Sequence, residues 1–320
     1  MTQLWLPVLF VLIGFIGLVW SADKFVAGSA AMARTFGLSK LIIGLTIVAF
    51  GTSAPEVVVS LNAALRGAGD LAIGNALGSN LANIGLVLGV TALIAVLPVQ
   101  SHLLKIELPL LLLVTAIAGW FLSDATLTRL EGWILLLLLP LVVAVMIYCK
   151  RSHPDEIDDE TPVMTRGASI GWFIIGLIVL IASSDLLVRG ASELALGFGV
   201  SPLIIGLTVV AVGTSLPELA ASVISAIKGH YDIAIGNVIG SNLFNLLAVM
   251  AIPGIVAPLH MEQAVFSRDF FAMAGLTLLL AIALYISFFT RRRRGGAALG
   301  KPLGLLLLAL YAGYYVLLLS

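Results

Sequence analysis

Apolar runs of roughly 20 residues, each long enough for a helix to cross a hydrocarbon core of about 30 Å, recur along the chain with short polar breaks between them. Ten such runs cover 4–22, 40–65, 71–97, 105–123, 131–149, 167–188, 202–227, 233–257, 269–290 and 302–319. The pattern predicts an all-α integral membrane protein with ten transmembrane helices. Two runs are interrupted by the same polar cluster: Gly51, Thr52, Ser53, Pro55 and Glu56 in the second, and Gly213, Thr214, Ser215, Pro217 and Glu218 in the seventh. A mid-span proline removes an amide hydrogen and crowds the carbonyl one turn earlier, here that of Gly51 or Gly213. Both helices should therefore break. In hydrocarbon the freed carbonyls are tolerated only where they are buried in protein or line a polar cavity.

The two clusters belong to a longer repetition. Residues 42–56 read IIGLTIVAFGTSAPE and residues 204–218 read IIGLTVVAVGTSLPE, an offset of 204 − 42 = 162 residues. The match runs without a gap from Ser21–Asn83 to Ser183–Asn245, pairing Asp23 with Asp185, Gly37 with Gly199, Asp70 with Asp232, and GNALGSNLAN with GNVIGSNLFN. One period contains five helices, and an odd number turns the second copy upside down, which makes an inverted repeat. The expected organisation is a five-helix repeat over 1–149, a linker over 150–166, and an inverted five-helix repeat over 167–320.

Charge supports the same topology independently. With the N-terminus outside, the cytoplasmic loops hold Lys24, Arg34, Lys40, Lys105, Lys150, Arg151, Arg166, Lys228, the four arginines 291–294 and Lys301, while the outer loops hold Arg66, Arg129, Arg189 and Arg268. Thirteen against four follows the positive-inside rule and puts both termini outside. The linker, KRSHPDEIDDETPVMTR, is then cytoplasmic; its acidic run lacks the glycine turn and ligand spacing of a calcium loop. The chain is 60% hydrophobic and 11% charged with a formal net charge of +0, so it carries no basic footprint for nucleic acid. Its single cysteine, Cys149, excludes an internal disulfide framework. The N-terminal segment lacks a basic signal-peptide region, and its end aligns with a mid-chain helix, so it is expected to be a permanent span.

Glu56 and Glu218 are the chemically decisive residues. An ionised acid mid-membrane costs at least ~2.5 kcal/mol and usually pairs with Arg or Lys, yet no Lys or Arg lies in the hydrophobic core of any span. The pair must bind a mobile cation or take up protons. Thr52 lies one turn from Glu56 on the same face. The third and eighth spans carry polar stripes, Asn75, Ser79 and Asn83 in one and Asn237, Ser241 and Asn245 in the other, at i, i+4 and i+8. Ser79, Asn83, Ser241 and Asn245 read as ion ligands. Asn75, Asn80, Asn237 and Asn242 read equally well as ligands or as interhelical glue. Asp70 and Asp232 read as N-caps. Gly74 with Gly78 and Gly236 with Gly240 form patches for close helix approach. Carboxylate, hydroxyl, amide and carbonyl oxygens suit a hard ion such as Ca2+ or Na+. All four histidines sit at loops or span ends, which disfavours transition metals.

The doubled GTSAPE/GTSLPE and GNALGSN/GNVIGSN motifs, the five-plus-five arrangement and the short linker resemble the sodium/calcium exchanger branch of the calcium/cation antiporter superfamily, in its compact prokaryotic form. The resemblance covers nearly the whole chain. It implies alternating access, Ca2+ export driven by Na+ entry with usually three Na+ per Ca2+, and residence in the inner (plasma) membrane. By position it implies that Glu56 and Glu218 hold Ca2+ with the carbonyls of Thr52 and Thr214. One Na+ place would be lined by the Ala49 carbonyl, Thr52, Ser53, Glu56 and Ser79, and its mirror by the Ala211 carbonyl, Thr214, Ser215, Glu218 and Ser241, with Asn83 and Asn245 facing the centre. The sequence departs from archaeal-type and potassium-dependent relatives at Asn245, where they carry aspartate, which argues against potassium coupling.

Ca2+ and Na+ are thus the expected partners, as substrates, alongside the lipid bilayer; no cofactor, enzymatic activity or obligatory protein partner is expected. A Ca2+/H+ antiporter on the same fold is the nearest alternative, and a cation channel a more distant one. An intramembrane hydrolase is disfavoured because no histidine or lysine base lies near Ser53, Ser79, Ser215 or Ser241.

Overall fold

The computed structural model describes residues 5–151, 163–200, 205, 209–291 and 297–319. Most of the 150–166 linker, the opening of the 202–227 run and the arginines after Arg291 lie outside the described residues. In chain order the helices are α1 (Trp5–Phe36), α2 (Lys40–Thr52), α3 (Ala54–Leu65), α4 (Gly69–Ile94), α5 (Ser101–Leu122), α6 (Arg129–Arg151), α7 (Arg166–Gly197), α8 (Ala211–Thr214), α9 (Leu216–Ile227), α10 (Tyr231–Val256), α11 (Val265–Thr290) and α12 (Lys301–Leu319). Among the described residues eight helices are long and apolar enough to cross a membrane, and α2 with α3, bent by 43° at the break, makes a ninth. The apolar helix α9 has 12 residues and continues α8 beyond a second break.

The first and sixth spans are longer than the apolar runs that announced them. Instead of ending near 22 and 188, α1 and α7 continue to Phe36 and Gly197, at 32 residues each. Polar residues do not stop them because they are accommodated at the helix surface. Lys24 pairs with Asp23 at 3.2 Å and lies 5.6 Å from the centre of the Trp172 ring, while Lys228 reaches Asp23 from a distant loop at 2.5 Å. What ends each helix is a left-handed glycine, Gly37 (φ 64°) or Gly199 (φ 82°), followed by a bond from Leu38 N–H to Ala33 O or from Val200 N–H to Ala195 O.

These two helices pack lengthwise through glycines. A Cβ placed on Gly14 would lie 2.7 Å from the Leu187 nitrogen, and one on Gly28 would lie 2.6 Å from that of Phe173. As one number rises the other falls, so α1 and α7 run antiparallel. The contacts recur with roles exchanged: Gly176, which is 14 + 162, meets Phe25, which is 187 − 162, and Gly190 meets Val11. Such reciprocity marks a self-complementary, two-fold contact.

At the centre lie α4 and α10, buried along most of their length. Gly236 and Gly240 admit the backbone of α2, with a Cβ on Gly236 falling 2.9 Å from Leu41 O and one on Gly240 2.7 Å from Leu45 Cα. At Gly74 and Gly78 a Cβ meets nothing within 4 Å among the described residues. Residues 203–207, the repeat-mates of the α2 segment 41–45 that packs on Gly236 and Gly240, lie largely outside the described residues.

Four short strands tie loops together: β1 (Leu97–Val99), β2 (Thr126–Leu127), β3 (Leu259–His260) and β4 (Ala297–Leu299). β1 pairs antiparallel with β4, and β2 with β3. Each pair joins loops assigned to the same membrane face by charge. Side chains follow suit: Gln100 donates to Asp232 at 2.8 Å on one face, and Asp70 accepts from Glu262 N–H at 2.7 Å on the other. The expectation that Asp70 and Asp232 are N-caps is corrected here. Ala68 and His230 occupy those positions, because the turns at Gly67 and Gly229 start each helix earlier. The acids sit in the first turn, where the helix dipole favours them, and use their oxygens to hold loops.

The glycine contacts give a direct test. Gly14→Ala should cost about 1–3 kcal/mol by overpacking, read as a lower melting temperature in detergent. Gly171→Ala, where a Cβ meets nothing within 4 Å, should be neutral or slightly stabilising. Equal effects would mean that α1 and α7 are not in glycine contact.

Candidate functional site

Both predicted breaks form, and they form alike. Ser53 (φ −84°, ψ 5°) separates α2 from α3, and Ser215 (φ −89°, ψ 4°) separates α8 from α9. Ala54–Pro55 and Leu216–Pro217 then open the new helices, since proline is tolerated in a first turn. Glu56 and Glu218 therefore fall in the first turns of α3 and α9. There the unpaired N–H groups and the positive end of the helix dipole favour a carboxylate. The Gly213 carbonyl, four residues before Pro217, accepts from Ser184 Oγ of α7 at 3.0 Å. In the first half Ala22 occupies the position equivalent to Ser184.

Glu56 and Glu218 are each 0% exposed and close enough to interact electrostatically. No ion pair among the described residues involves either one. Their surroundings are hydroxyls and amides contributed across the repeats. Ser53 Oγ donates to Glu218 Oε1 at 3.1 Å, Thr52 neighbours the same carboxylate, and Ser79 neighbours that of Glu56. Thr52 Oγ1 lies 3.2 Å from Val48 O, 3.3 Å from Ala49 O and 3.2 Å from Asn237 Oδ1, three acceptors competing for one proton, and 3.5 Å from Ser241 Oγ, which can donate or accept. The Ala49 carbonyl also accepts the Ser53 N–H at 3.0 Å. The backbone of Ala211 and Thr214 forms α8, leading directly to the second break.

Asn75 and Asn237 are holders of backbone. Asn75 Nδ2 donates to Glu56 O at 3.1 Å and Ser60 Oγ at 2.8 Å, and Asn237 Nδ2 donates to Glu218 O at 3.3 Å and Ser222 Oγ at 3.0 Å. Each asparagine thereby fixes the residue that carries the charge. Further along α4 and α10, π-helical turns begin at Asn83 and Asn245, a local widening common at functional positions. Asn83 Nδ2 donates to Asn242 Oδ1 at 3.1 Å, Asn245 Nδ2 to Asn80 Oδ1 at 3.0 Å, and Asn80 Nδ2 to Asn242 O at 3.3 Å.

What these bonds leave over defines the chemistry. Among the described residues nine buried side-chain polar atoms lack a partner, and six of them are oxygens of nominated residues: both of Glu56, Glu218 Oε2, Ser215 Oγ, Asn83 Oδ1 and Asn245 Oδ1. Buried polar atoms are otherwise almost always satisfied. Ser184, Ser60 and Ser222 were missed from sequence. The only signal for the last two was their position one turn beyond each glutamate.

Buried, oxygen-lined acids between broken helices make this protein a membrane transporter for cations. Comparison with known proteins agrees. The model of the family described as sodium/calcium exchanger protein matches residues 6–148 and again 168–320. The chain belongs to that family. It is 46% identical to CaxA of Alkalimonas amylolytica, named as a candidate antiporter, over 98% of both chains. It is 40% identical to the inner membrane protein YrbG of Escherichia coli (strain K12), over 85% of this chain and 86% of that one. Among solved structures, the sodium-calcium exchanger NCX_Mj soaked with 100 mM Na+ and 10 mM Sr2+ superimposes with a TM-score of 0.83 at 32% identity, covering 98% of this chain and 99% of that one.

The Asn237 network generates its own test. Asn237→Ala removes the amide donor from the Glu218 carbonyl and the Ser222 hydroxyl and one acceptor from Thr52, and the lost buried hydrogen bonds should together cost about 1–3 kcal/mol. The melting temperature should fall clearly below that of the wild type. A stability within about 0.5 kcal/mol of wild type, the usual scatter of neutral substitutions, would show that the network is not formed.

Proposed function

We propose that the chain exchanges Na+ for Ca2+ across a prokaryotic inner membrane by alternating access. One observation carries this reading: among the described residues six buried oxygens of the nominated residues lack partners, four of them on or beside two acids that form no ion pair there. Ca2+ takes six to eight oxygen ligands, and its two charges match Glu56 and Glu218. On this reading the carbonyls of Thr52 and Thr214 complete the Ca2+ site. Na+ uses overlapping places, one at Ala49, Thr52, Ser53, Glu56 and Ser79, the other at Ala211, Thr214, Ser215, Glu218 and Ser241, with Asn83 and Asn245 at the centre. Shared oxygens make the cations mutually exclusive. Empty, the site would bury two bare carboxylates, each at a cost of several kcal/mol, so the site changes sides only when loaded.

The same proposal takes the architecture to be ten helices in two inverted halves, 1–149 and 167–320, with the 150–166 linker inside and both termini outside. The antiparallel, reciprocal contact of α1 with α7 supports the inversion, and the pairing of same-face loops supports the topology. The name of the Escherichia coli relative supports the membrane assigned.

In proteoliposomes, Ca2+ uptake should follow an imposed Na+ gradient, and Glu56→Gln or Glu218→Gln should each reduce it at least ~100-fold by unbalancing the ion charge. Uptake that follows only a pH gradient would instead assign proton coupling, and flux needing neither gradient would assign a channel. With three Na+ against two negative charges, one positive charge remains. Flux should therefore respond to an imposed membrane potential and not require K+; voltage-independent flux would sink the three-for-one cycle.

Orientation is tested by cysteine labelling in a Cys149→Ser background. A membrane-impermeant reagent applied to intact cells should modify Thr2→Cys but not Pro162→Cys. The opposite pattern would invert the topology.

A further inference from the structure

The central asparagines pose a problem of orientation. An asparagine amide has nearly the same shape either way round, but only its oxygen can ligate a cation; its NH2 group repels one. At Asn83 and Asn245 the alternative is a real competitor. On the cation-exchange reading both asparagines face a site that holds the unpartnered oxygens of Glu56 and Glu218; such oxygens would accept an amide hydrogen, and an asparagine turned that way would oppose the entering cation.

The bonds present decide between the two. Asn245 Nδ2 is committed to Asn80 Oδ1 at 3.0 Å, and Asn83 Nδ2 to Asn242 Oδ1 at 3.1 Å. In each case the Oδ1 is left buried and without a partner. Asn80 is itself held, because its Nδ2 donates to the main-chain carbonyl of Asn242 at 3.3 Å. A fixed backbone oxygen thus sets Asn80, and Asn80 sets Asn245. Asn80 and Asn83 lie three residues apart on one helix face, as do Asn242 and Asn245, yet the bonds run between the halves and not along either helix. The two bonds exchange under the 162-residue offset: 83 and 242 become 245 and 80. Turning either central amide over would set its oxygen against another amide oxygen.

We propose that Asn80 and Asn242 are positioning residues: each accepts the amide hydrogen of the other half's central asparagine and so turns that asparagine's oxygen toward the cation site. Neither touches the ion. This inference rests on the cation-exchange reading, and it resolves the two roles that the sequence left open for these residues into a third.

The test exploits the fact that a carboxylate has two oxygens and no N–H, so it needs no orientation. Ca2+ binding by detergent-solubilised protein is measured by titration calorimetry for wild type, Asn80→Ala, Asn245→Asp and the double variant, with Glu56→Gln as reference. Asn80→Ala alone should weaken Ca2+ binding about tenfold, whereas in the Asn245→Asp background the same change should cost less than about threefold, the non-additivity expected of residues acting as a unit. Equal losses in both backgrounds would overturn the proposal, since a packing role is indifferent to residue 245. Asn242→Ala with Asn83→Asp asks the same of the other half if Asn80→Ala fails to fold. If neither alanine variant folds in either background, the residues are structural and the proposal is wrong. Wild type that does not bind Ca2+, or Glu56→Gln that binds as wild type, would overturn the cation reading itself. Binding that needs Glu56 with no difference between backgrounds would remove the orientation role alone.

Discussion

Two carboxylates buried without a basic partner are the constraint on which this structure depends. In a low-dielectric interior such groups are sustained by fixed dipoles or by a mobile ion, and the chain supplies the dipoles wherever its helices are interrupted. Each break creates a new helix N-terminus directly under a glutamate. It also releases the carbonyl one turn before the proline, which at Gly213 is met by Ser184, while Asn75 and Asn237 brace the carbonyls of Glu56 and Glu218 themselves. The broken helices, the polar stripes on α4 and α10 and the lack of basic residues in the spans are one arrangement seen from three sides.

Because the acids come from different halves, the site exists only where the halves meet. Ser53 of the first half bonds Glu218 of the second, Thr52 reaches Asn237, and the asparagine bonds cross in both directions. On the exchange reading neither half could hold a divalent ion alone, since each brings one negative charge and roughly half of the oxygens Ca2+ requires.

Much of this was legible in the sequence because duplication writes each feature twice. The breaks at Ser53 and Ser215 follow from proline chemistry, and the placement of Glu56 and Glu218 follows from the breaks. Helix ends were less legible. Hydropathy lost α1 at Asp23 and Lys24, since a window average cannot see that Lys228 and Trp172 would accommodate them, although the matched glycines at 37 and 199 marked the true ends. Asp70 looked like a cap because acids commonly cap helices. Its actual task, holding Glu262, depends on a loop 192 residues away. The roles of Asn80 and Asn242 were illegible for the same reason, as their bonds span 165 and 159 residues.

Equal halves in sequence do not make equal halves in contact. Asp23 of α1 is gripped by Lys228, which follows the second broken helix, through both its carboxylate and its main-chain carbonyl. Its counterpart Asp185 pairs within α7 to Arg189 at 2.8 Å, and Arg66, the counterpart of Lys228, is exposed. On the exchange reading, a duplicated chain that breaks its symmetry in one direction has a second arrangement open to it, with the roles of the halves exchanged and built from similar contacts. Those two arrangements share one central site and differ at opposite rims. That is the bistability alternating access requires, and on the exchange reading the cations need supply only the small difference between them.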